Sequence, residues 1–179
     1  MKKLLIALMA SLLLVACVKP PVKKGDIADM SDHGIKSEQF LVMTLEEAYD
    51  FLSKDTGYVY FGFSACPWCR DMIPLLDAIA KEEKGNVYYV DLRPAGVDIR
   101  VDDNEAYMKV VDLTKEFLSN DSDGKPRIFV PQLFAVKDGN IVFSHLGTVK
   151  SHDARERPMS DEETEELNNI LKDFWRSIK

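Results

Sequence analysis

The chain has 179 residues, 46% of them hydrophobic and 30% charged, so it is long enough to bury a core in one domain that carries an appendage. Its formal net charge at pH 7 is −7, and residues 1–16 contain two lysines and no acid, so the remainder is more acidic still. This acidity argues against the basic footprint of a nucleic-acid-binding protein, and we expect no nucleic-acid partner.

The N-terminus has the layout of a bacterial export signal. Lys2 and Lys3 precede an apolar run over residues 4–15, which is too short to span a bilayer comfortably. The run ends in Leu-Val-Ala before Cys17, and these four residues resemble the lipobox of bacterial lipoproteins. That resemblance implies a signal peptide over residues 1–16 and a lipid on Cys17, which anchors the domain outside the cytoplasm of a bacterium. The alternative is that Cys17 is an unmodified thiol within a membrane anchor.

The segment after the predicted signal has no helical or strand periodicity. It mixes Lys, Pro, Gly, Asp and Ser, which is typical of a linker, so we predict a flexible tether over residues 17–38. Its three lysines before residue 25 fall short of a lipid-binding polybasic cluster. The folded domain is then predicted to span residues 39–179.

The domain begins with a predicted strand over residues 40–43 and a helix. Thr44 and Glu47 have the spacing of a capping box, which marks a helix start. Residues 55–57 end this helix. Its predicted apolar face consists of Leu45, Ala48, Tyr49 and Leu52.

The next stretch is a strand that leads directly into a helix with two cysteines at its start. Residues 58–63 form an apolar, aromatic run, followed shortly by Cys66, Pro67, Trp68 and Cys69. Proline suits the first helical turn because its missing N–H would be unpaired there. The helix then continues with apolar side chains on one side at Met72, Leu75, Leu76, Ile79 and Ala80.

This position predicts different roles for the two cysteines. Free backbone N–H groups and the helix dipole favour a thiolate at Cys66, which is therefore the candidate nucleophile. Cys69 lies one turn on and deeper, as a resolving thiol should. We expect Trp68 to cover the pair and contact substrate, or else to pack on a neighbouring loop. Arg70 is expected to bias the ionisation of Cys66 or to be merely solvated.

Two other uses of the Cys-x-x-Cys pair are a structural disulfide and half of a zinc site. A loop this short gains only about 1.9 kcal/mol from cross-linking, against ~4.7 kcal/mol for a hundred-residue loop. Zinc needs two further ligands, yet His33, His145 and His152 show no ligand spacing. We therefore predict a redox pair that uses no metal and no cofactor.

Residues 61–70 resemble the active-site segment of the thioredoxin superfamily. Pro74 also matches the proline that commonly kinks the active-site helix of that family. The resemblance to the superfamily spans about residues 39–179. More narrowly, the chain resembles the thioredoxin-like proteins of the bacteriocin-transport accessory or disulfide-chaperone type. The resemblance implies a thioredoxin fold, an α/β architecture in which a central mixed sheet is flanked by helices. Tyr60 departs from the pattern, since thioredoxins typically carry a buried acid at that position.

Residues 87–91 are predicted to form another strand, and residues 93–127 an insertion before the strand at 128–136. Helical spacing predicts a helix over about 103–119 within this insertion, followed by a polar loop, and we assign the insertion no function. Proline cannot donate a hydrogen bond to its neighbouring strand, so Pro131 does not fit a central strand unless it lies at the strand's start. The resemblance implies a cis Val130–Pro131 bond beside the cysteines and a substrate-binding role for both residues.

The chain ends with a hairpin, a charged loop and a helix. Asp138 and Gly139 favour a tight turn between two strands. The charged residues 148–159 are interpreted as a solvated loop, with a partner surface as the alternative. Ser160 and Glu163 again have capping-box spacing. The apolar stripe of the last helix comprises Leu167, Ile170, Leu171, Phe174, Trp175 and Ile178.

Together these features predict an exported, membrane-anchored thiol-disulfide oxidoreductase, a monomer that acts on exported proteins or peptides through Cys66 and Cys69. A membrane redox partner is also expected. One alternative is a non-catalytic accessory module that binds a transporter or a secreted peptide. The other is a copper-handling protein that binds Cu(I) with both thiolates.

Overall fold

The structure is a computed structural model that describes residues 24–179. Within that range it contains four α-helices and seven strands. The helices are α1 (Leu45–Lys54), α2 (Pro67–Glu82), α3 (Glu105–Thr114) and α4 (Asp161–Arg176). The strands are β1 (Phe40–Val42), β2 (Gly57–Gly62), β3 (Val87–Asp91), β4 (Ser119–Asn120), β5 (Pro126–Arg127), β6 (Gln132–Lys137) and β7 (Asn140–Leu146).

Five of the strands form one mixed sheet in the order β1-β3-β2-β6-β7. The strands β1, β3 and β2 run parallel, whereas β6 pairs antiparallel with both β2 and β7. Residues 58–62 of the central strand β2 are all buried, as a continuous apolar run predicts for a strand covered on both faces. The helices pack as two pairs, α1 with α3 and α2 with α4. The predicted α/β architecture with a central mixed sheet flanked by helices is therefore confirmed.

Both predicted capping boxes are present and fix the starts of two helices. The Thr44 hydroxyl accepts the N–H of Glu47, and the Glu47 carboxylate accepts the N–H of Thr44. Ser160 and Glu163 exchange the same pair of bonds at the start of α4. Each box satisfies two N–H groups that the helix itself leaves unpaired.

The last helix is locked to the sheet by aromatic packing. Tyr58 of β2 stacks on Trp175 of α4 with ring centroids 4.2 Å apart, and its hydroxyl donates to the Trp175 carbonyl. Gly85 provides the space for this indole, because a Cβ there would lie 2.5 Å from the Trp175 ring. Tyr58 also contacts Phe174 at 4.9 Å. The predicted apolar stripe thus faces the sheet.

The hairpin between β6 and β7 has the predicted turn. Asp138 and Gly139 both have positive φ, 52° and 72°, as a primed two-residue turn requires. Gly139 is also needed for space, since a Cβ there would lie 2.3 Å from the Ser53 carbonyl oxygen. Its N–H donates to the carbonyl of Asp55, so the turn is tied to the end of α1.

The domain begins before residue 39, which corrects the predicted extent of the tether. Ile27 forms an antiparallel bridge with Leu41 at the edge of the sheet, and Ala28 and Met30 are buried. His33 is buried as well, and its Nε2 lies 3.1 Å from the Tyr89 hydroxyl. The segment packs because its backbone pairs with the otherwise open edge of β1, while Ala28 and Met30 enter the core.

Other predictions on the N-terminus fall outside the described residues. They are the signal peptide over residues 1–16, lipidation of Cys17, and the part of the tether before residue 24. Among the helices of residues 24–179, none has the length and apolarity needed to cross a membrane.

The predicted insertion is present between β3 and β6, but its elements are shorter and more varied than predicted. Instead of one helix over 103–119, α3 ends at Thr114 and a short 3-10 turn follows at Lys115–Phe117. The segment predicted as a polar loop closes the small antiparallel hairpin of β4 and β5. Asp121 produces this hairpin by accepting the N–H groups of Asp123 and Lys125.

Candidate active site

The candidate site lies where β2 ends and α2 begins, near the centre of the sheet. After the strand, the N–H of Cys66 donates to the Phe63 carbonyl at 3.1 Å, which forms a tight turn. Cys66 is the N-cap of α2, in an extended backbone conformation, and Pro67 occupies the first turn as predicted. The first turn of the helix therefore points its free N–H groups at the Cys66 sulfur.

Cys66 has the surroundings of an ionised thiol. The Cys69 thiol beside it holds the pKa of Cys66 below its ordinary value by hydrogen bonding to the sulfur, and the N–H groups of Cys69 and Trp68 act in the same direction. Of these, the Cys69 N–H is 3.2 Å from the sulfur. Arg100 contributes positive charge, while burial opposes the shift. Cys66 is therefore the better nucleophile of the pair.

Cys69 has the opposite environment. It is fully buried, and burial is the main cause that raises the pKa of the Cys69 thiol far above its usual range, with the adjacent Cys66 sulfur adding to the rise. The Tyr60 hydroxyl next to it partly opposes this rise. Both cysteines are reduced, and Cys66 keeps 4% of its surface exposed against 0% for Cys69. A reagent therefore reaches the pair through Cys66.

The segment before β6 lies directly against the Cys66 sulfur. The Val130 carbonyl oxygen is 3.7 Å from Cys66 Sγ, and the Val130–Pro131 peptide bond is cis, as predicted. Within residues 24–179 the Val130 N–H has no hydrogen-bond partner. The Pro131 carbonyl accepts the N–H of Gly147 at 2.9 Å, which ties the segment to the end of β7. The sequence-predicted residues Cys66, Cys69, Val130 and Pro131 are thus brought together.

Trp68 lies between the two cysteines in sequence and is packed partly on the core and partly under a loop. The guanidinium of Arg155 sits 5.0 Å from the centre of its ring. The predicted contact between Trp68 and a neighbouring loop is therefore present. Whether Trp68 also contacts substrate remains a prediction.

The loop over residues 148–159 is anchored at a few buried positions, while Arg155, Glu156 and Arg157 are exposed, as the prediction of a solvated loop requires. Thr148 and His152 are buried, and the His152 ring bonds to the Thr148 hydroxyl at 2.8 Å and to the Arg157 carbonyl at 2.9 Å. Arg157 in turn pairs with Glu163 of α4 at 2.6 Å. Composition shows that the loop is charged, but it does not show that these charged side chains pair with each other and with α4.

Sequence reasoning missed Arg100, a buried arginine close to the nucleophile. It is 8% exposed and its guanidinium lies 5.3 Å from the Phe63 ring, three residues before Cys66. The signal in the sequence is weak, an Asp two residues before an Arg, where the Asp98 carboxylate accepts the Arg100 N–H. Arg70, in contrast, donates through Nε to the Ser64 carbonyl at 2.8 Å and braces the turn.

The side chains that could bind a metal are spread over the described residues. Across the described part of the chain, no three His, Cys, Asp or Glu side chains are arranged to hold a metal ion. The three histidines bond to protein groups, and His145 donates through Nε2 to the Thr148 carbonyl, 2.8 Å away. The two thiols of residues 24–179, Cys66 and Cys69, lie side by side and are soft ligands.

A cavity of about 470 Å³ lies apart from the cysteines. It is bordered by β1, β3 and the start of α1, with apolar walls that include Val42, Leu45 and Val90. The carboxylates at its rim include Glu46 and Asp91. Neither cysteine lines it, so the chemistry of the site does not depend on this cavity.

Comparison of the chain with models of protein families and with curated proteins found no match.

Proposed function

We propose that this protein is a thiol-disulfide oxidoreductase with a thioredoxin fold, in which Cys66 is the nucleophile and Cys69 resolves the mixed disulfide. The observation that carries the proposal is the asymmetry of the pair. The pKa of Cys66 is lowered by N–H and S–H donors at a helix start, whereas burial raises the pKa of Cys69 three residues later. A structural disulfide or a metal site has no need for such a difference.

The reaction consists of two balanced exchange steps. The Cys66 thiolate attacks one sulfur of a substrate disulfide, that S–S bond breaks, and the second substrate sulfur leaves as a thiolate that takes a proton from water. Cys69 then loses its proton and attacks the Cys66 sulfur, which releases the first substrate sulfur and forms the Cys66–Cys69 disulfide. The substrate gains two electrons and the pair loses two. The same steps in reverse oxidise a dithiol substrate.

The segment beside Cys66 supplies a docking edge for the substrate. The Val130 N–H is unpaired within the described residues and the Val130 carbonyl faces the sulfur, so an extended substrate chain can pair with this backbone as an added strand. Pro131 follows Val130 directly, and the N–H of Trp68 bonds to the Cys66 sulfur. The substrate class is therefore a protein or peptide that presents its disulfide in an extended segment.

The direction of the reaction depends on the reduction potential of the pair. Tyr60 stands where thioredoxins carry a buried acid, and a phenol that keeps its proton does not serve as the base that a strong reductase uses. A potential near that of thioredoxin would indicate a reductase, and a much higher one an oxidase or isomerase. Measurement against glutathione buffers gives this value.

Export and lipidation complete the proposal. The residues around Cys17 fit a lipoprotein signal, and a disulfide-exchanging enzyme belongs in a compartment where disulfides persist. A mature protein that begins with diacylated Cys17, seen by mass spectrometry, would support this. A mature N-terminus elsewhere would remove the membrane anchor from the account.

The experiment that tests the function is trapping of mixed disulfides in cells. Cys69→Ser keeps the nucleophile but lacks the resolving thiol, so it should accumulate disulfide-linked partners, whereas Cys66→Ser should trap almost none. A protein that functions fully with both cysteines replaced by serine would be a non-catalytic accessory module instead. Trapping by Cys66→Ser alone would assign the nucleophile to Cys69.

A further inference from the structure

The insertion between β3 and β6 contains a compact charged cluster, formed by Arg93, Asp98 and Arg100. Arg100 donates through Nε and Nη2 to the two oxygens of Asp98, at 2.9 and 2.6 Å, and Arg93 donates to the same carboxylate at 3.2 Å. These hydrogen bonds, those of Arg100 first, hold the pKa of Asp98 well below its usual range. Two guanidiniums and one ionised carboxylate leave the cluster with a net positive charge.

This cluster packs under the turn that precedes the nucleophile. The guanidiniums of Arg93 and Arg100 lie 4.2 and 5.3 Å from the centre of the Phe63 ring. The Phe63 carbonyl accepts the N–H of Cys66, so the ring and the nucleophile belong to one turn. The charge of Arg100 is among the causes that lower the pKa of Cys66, and it acts from a largely buried position where water screens it little.

The same insertion also forms hydrogen bonds to the segment that precedes Val130. Arg100 donates through Nη1 to the Ile128 carbonyl at 3.4 Å, and the Ile128 N–H donates to the Tyr107 hydroxyl at 3.2 Å. Ile128 is therefore held at both its N–H and its carbonyl. It lies two residues before Val130, whose carbonyl is 3.7 Å from Cys66 Sγ.

We propose that Arg100 is a positioning residue for exchange at Cys66, which places positive charge near the thiolate and, together with Tyr107, holds the docking edge at Val130 over the sulfur. The second half of this inference rests on the proposed function, whereas the first concerns only the Cys66 thiol. It gives the insertion a role, since both residues lie in it.

Arginine suits this position better than lysine would. Its planar fork serves both oxygens of Asp98 and the Ile128 carbonyl at once. A lysine ammonium keeps the charge but is a compact point donor, so it does not hold the carboxylate and the carbonyl in the same geometry. The two contributions of Arg100 are therefore separable by substitution.

The charge is tested by alkylation of the reduced full-length protein with iodoacetamide at pH 6. Arg100→Met should slow modification of Cys66 by about threefold or more, because a nearby cation that favoured the thiolate is gone. Arg100→Lys and Tyr107→Phe should leave this rate unchanged. Lys109→Met is the control, since it removes one positive charge from an exposed site on α3.

The role of Arg100 and Tyr107 in positioning the docking edge is tested by comparing two substrates. The probes are bis(2-hydroxyethyl) disulfide, which has no peptide bond, and an extended peptide with one disulfide. Arg100→Lys and Tyr107→Phe should lower the ratio of the peptide rate to the bis(2-hydroxyethyl) disulfide rate by about threefold, because only the peptide can pair with the Val130 backbone. Lys109→Met should leave the ratio unchanged.

Each half of the proposal has its own contrary result. Folded Arg100→Met with the wild-type alkylation rate would overturn the electrostatic half, and Arg100→Gln repeats that test if the Met variant does not fold. Tyr107→Phe with the wild-type ratio would overturn the positioning half. A wild-type protein that exchanges with neither disulfide would count against the proposed function, while the alkylation comparison would still decide the role of the charge.

Discussion

Cys66 and Cys69 are one helical turn apart, and their reactivity differs because of what touches each sulfur. Cys66 accepts hydrogen bonds at the open end of α2, whereas Cys69 lies in the core beside Tyr60. The Cys69 thiol donates a hydrogen bond to the Cys66 sulfur. This one proton therefore stabilises Cys66 as a thiolate and Cys69 as a thiol. The pair is thus held ready for attack from Cys66.

Tyr60 is placed to assist the second step of the proposed exchange. It is fully buried, and its hydroxyl has no partner with hydrogen-bond geometry among residues 24–179, although it lies beside Cys69. Burial raises the pKa of Tyr60 well above its ordinary value, so the phenol keeps its proton and is available as a donor when Cys69 becomes a thiolate. A hydrogen bond to a charged group is worth more than one to a neutral group.

Tyr60→Phe should therefore slow resolution by Cys69 about tenfold and leave alkylation of Cys66 unchanged, since only the donor to Cys69 is lost. The rate is measured by preforming a mixed disulfide at Cys66 and following release of the small thiol. Tyr58→Phe is the matched control, because its hydroxyl bonds to Trp175 and should affect stability only. Equal resolution rates in wild type and Tyr60→Phe would assign the hydroxyl no role.

At the scale of elements, capping boxes, turn residues and apolar stripes predicted the helices and the hairpin because each is determined locally. The packed segment before Gln39 was not predicted, since its polar side chains find partners far along the chain. His33, for example, bonds to Tyr89 across 56 positions. The bonds that hold the loop at 148–159 and the cluster around Arg100 are mostly short-range, but composition does not reveal them because each needs a specific side-chain geometry.

The anchoring of the loop at 148–159 depends on Glu163. Its carboxylate caps α4 and also binds Arg157 and Ser151, and these bonds, chiefly those of Arg157, hold the pKa of Glu163 well below its ordinary value of 4.5. A lowered carboxyl pKa means that the stabilisation is complete above pH 4.5 and is lost only as pH falls well below it. The loop should remain ordered at mildly acidic pH.

Glu163→Gln should loosen this loop without unwinding α4, because glutamine still serves a capping box but does not pair with the Arg157 charge. Hydrogen exchange by mass spectrometry should show faster exchange over residues 148–159 and unchanged exchange in the helix. Glu165→Gln, which removes a charge from an exposed position on α4, is the control. Slow exchange of the loop in Glu163→Gln would mean that His152 alone anchors it.

At the scale of the whole molecule, the N-terminal segment is a part of the fold that responds to pH. Burial lowers the pKa of His33 from 6.5 to about 4, and its Nδ1 has no hydrogen-bond partner within the described residues. The unfolded chain therefore binds a proton to this residue more readily than the folded one. Stability is lost as pH falls from about 6.5 towards 4.

Between pH 7 and pH 5, we expect the unfolding free energy of wild type to fall by about 1 kcal/mol more than that of His33→Gln. This figure is smaller than the full pKa shift gives, because water near the His33 ring screens part of the effect. Glutamine does not titrate in this range and keeps a group that bonds to the Tyr89 hydroxyl. Urea unfolding at both pH values gives the comparison. Identical pH dependence of the two proteins would show that His33 has the same pKa in the folded and the unfolded state.

Differential alkylation of the reduced protein at pH 6 shows whether Cys66 is the reactive thiolate of an exchange pair. Peptide mass spectrometry after brief iodoacetamide treatment measures the two cysteines in one sample. Cys66 should be modified well before Cys69, because hydrogen-bond donors lower the pKa of Cys66 and burial raises the pKa of Cys69. Equal rates, or faster modification of Cys69, would contradict it.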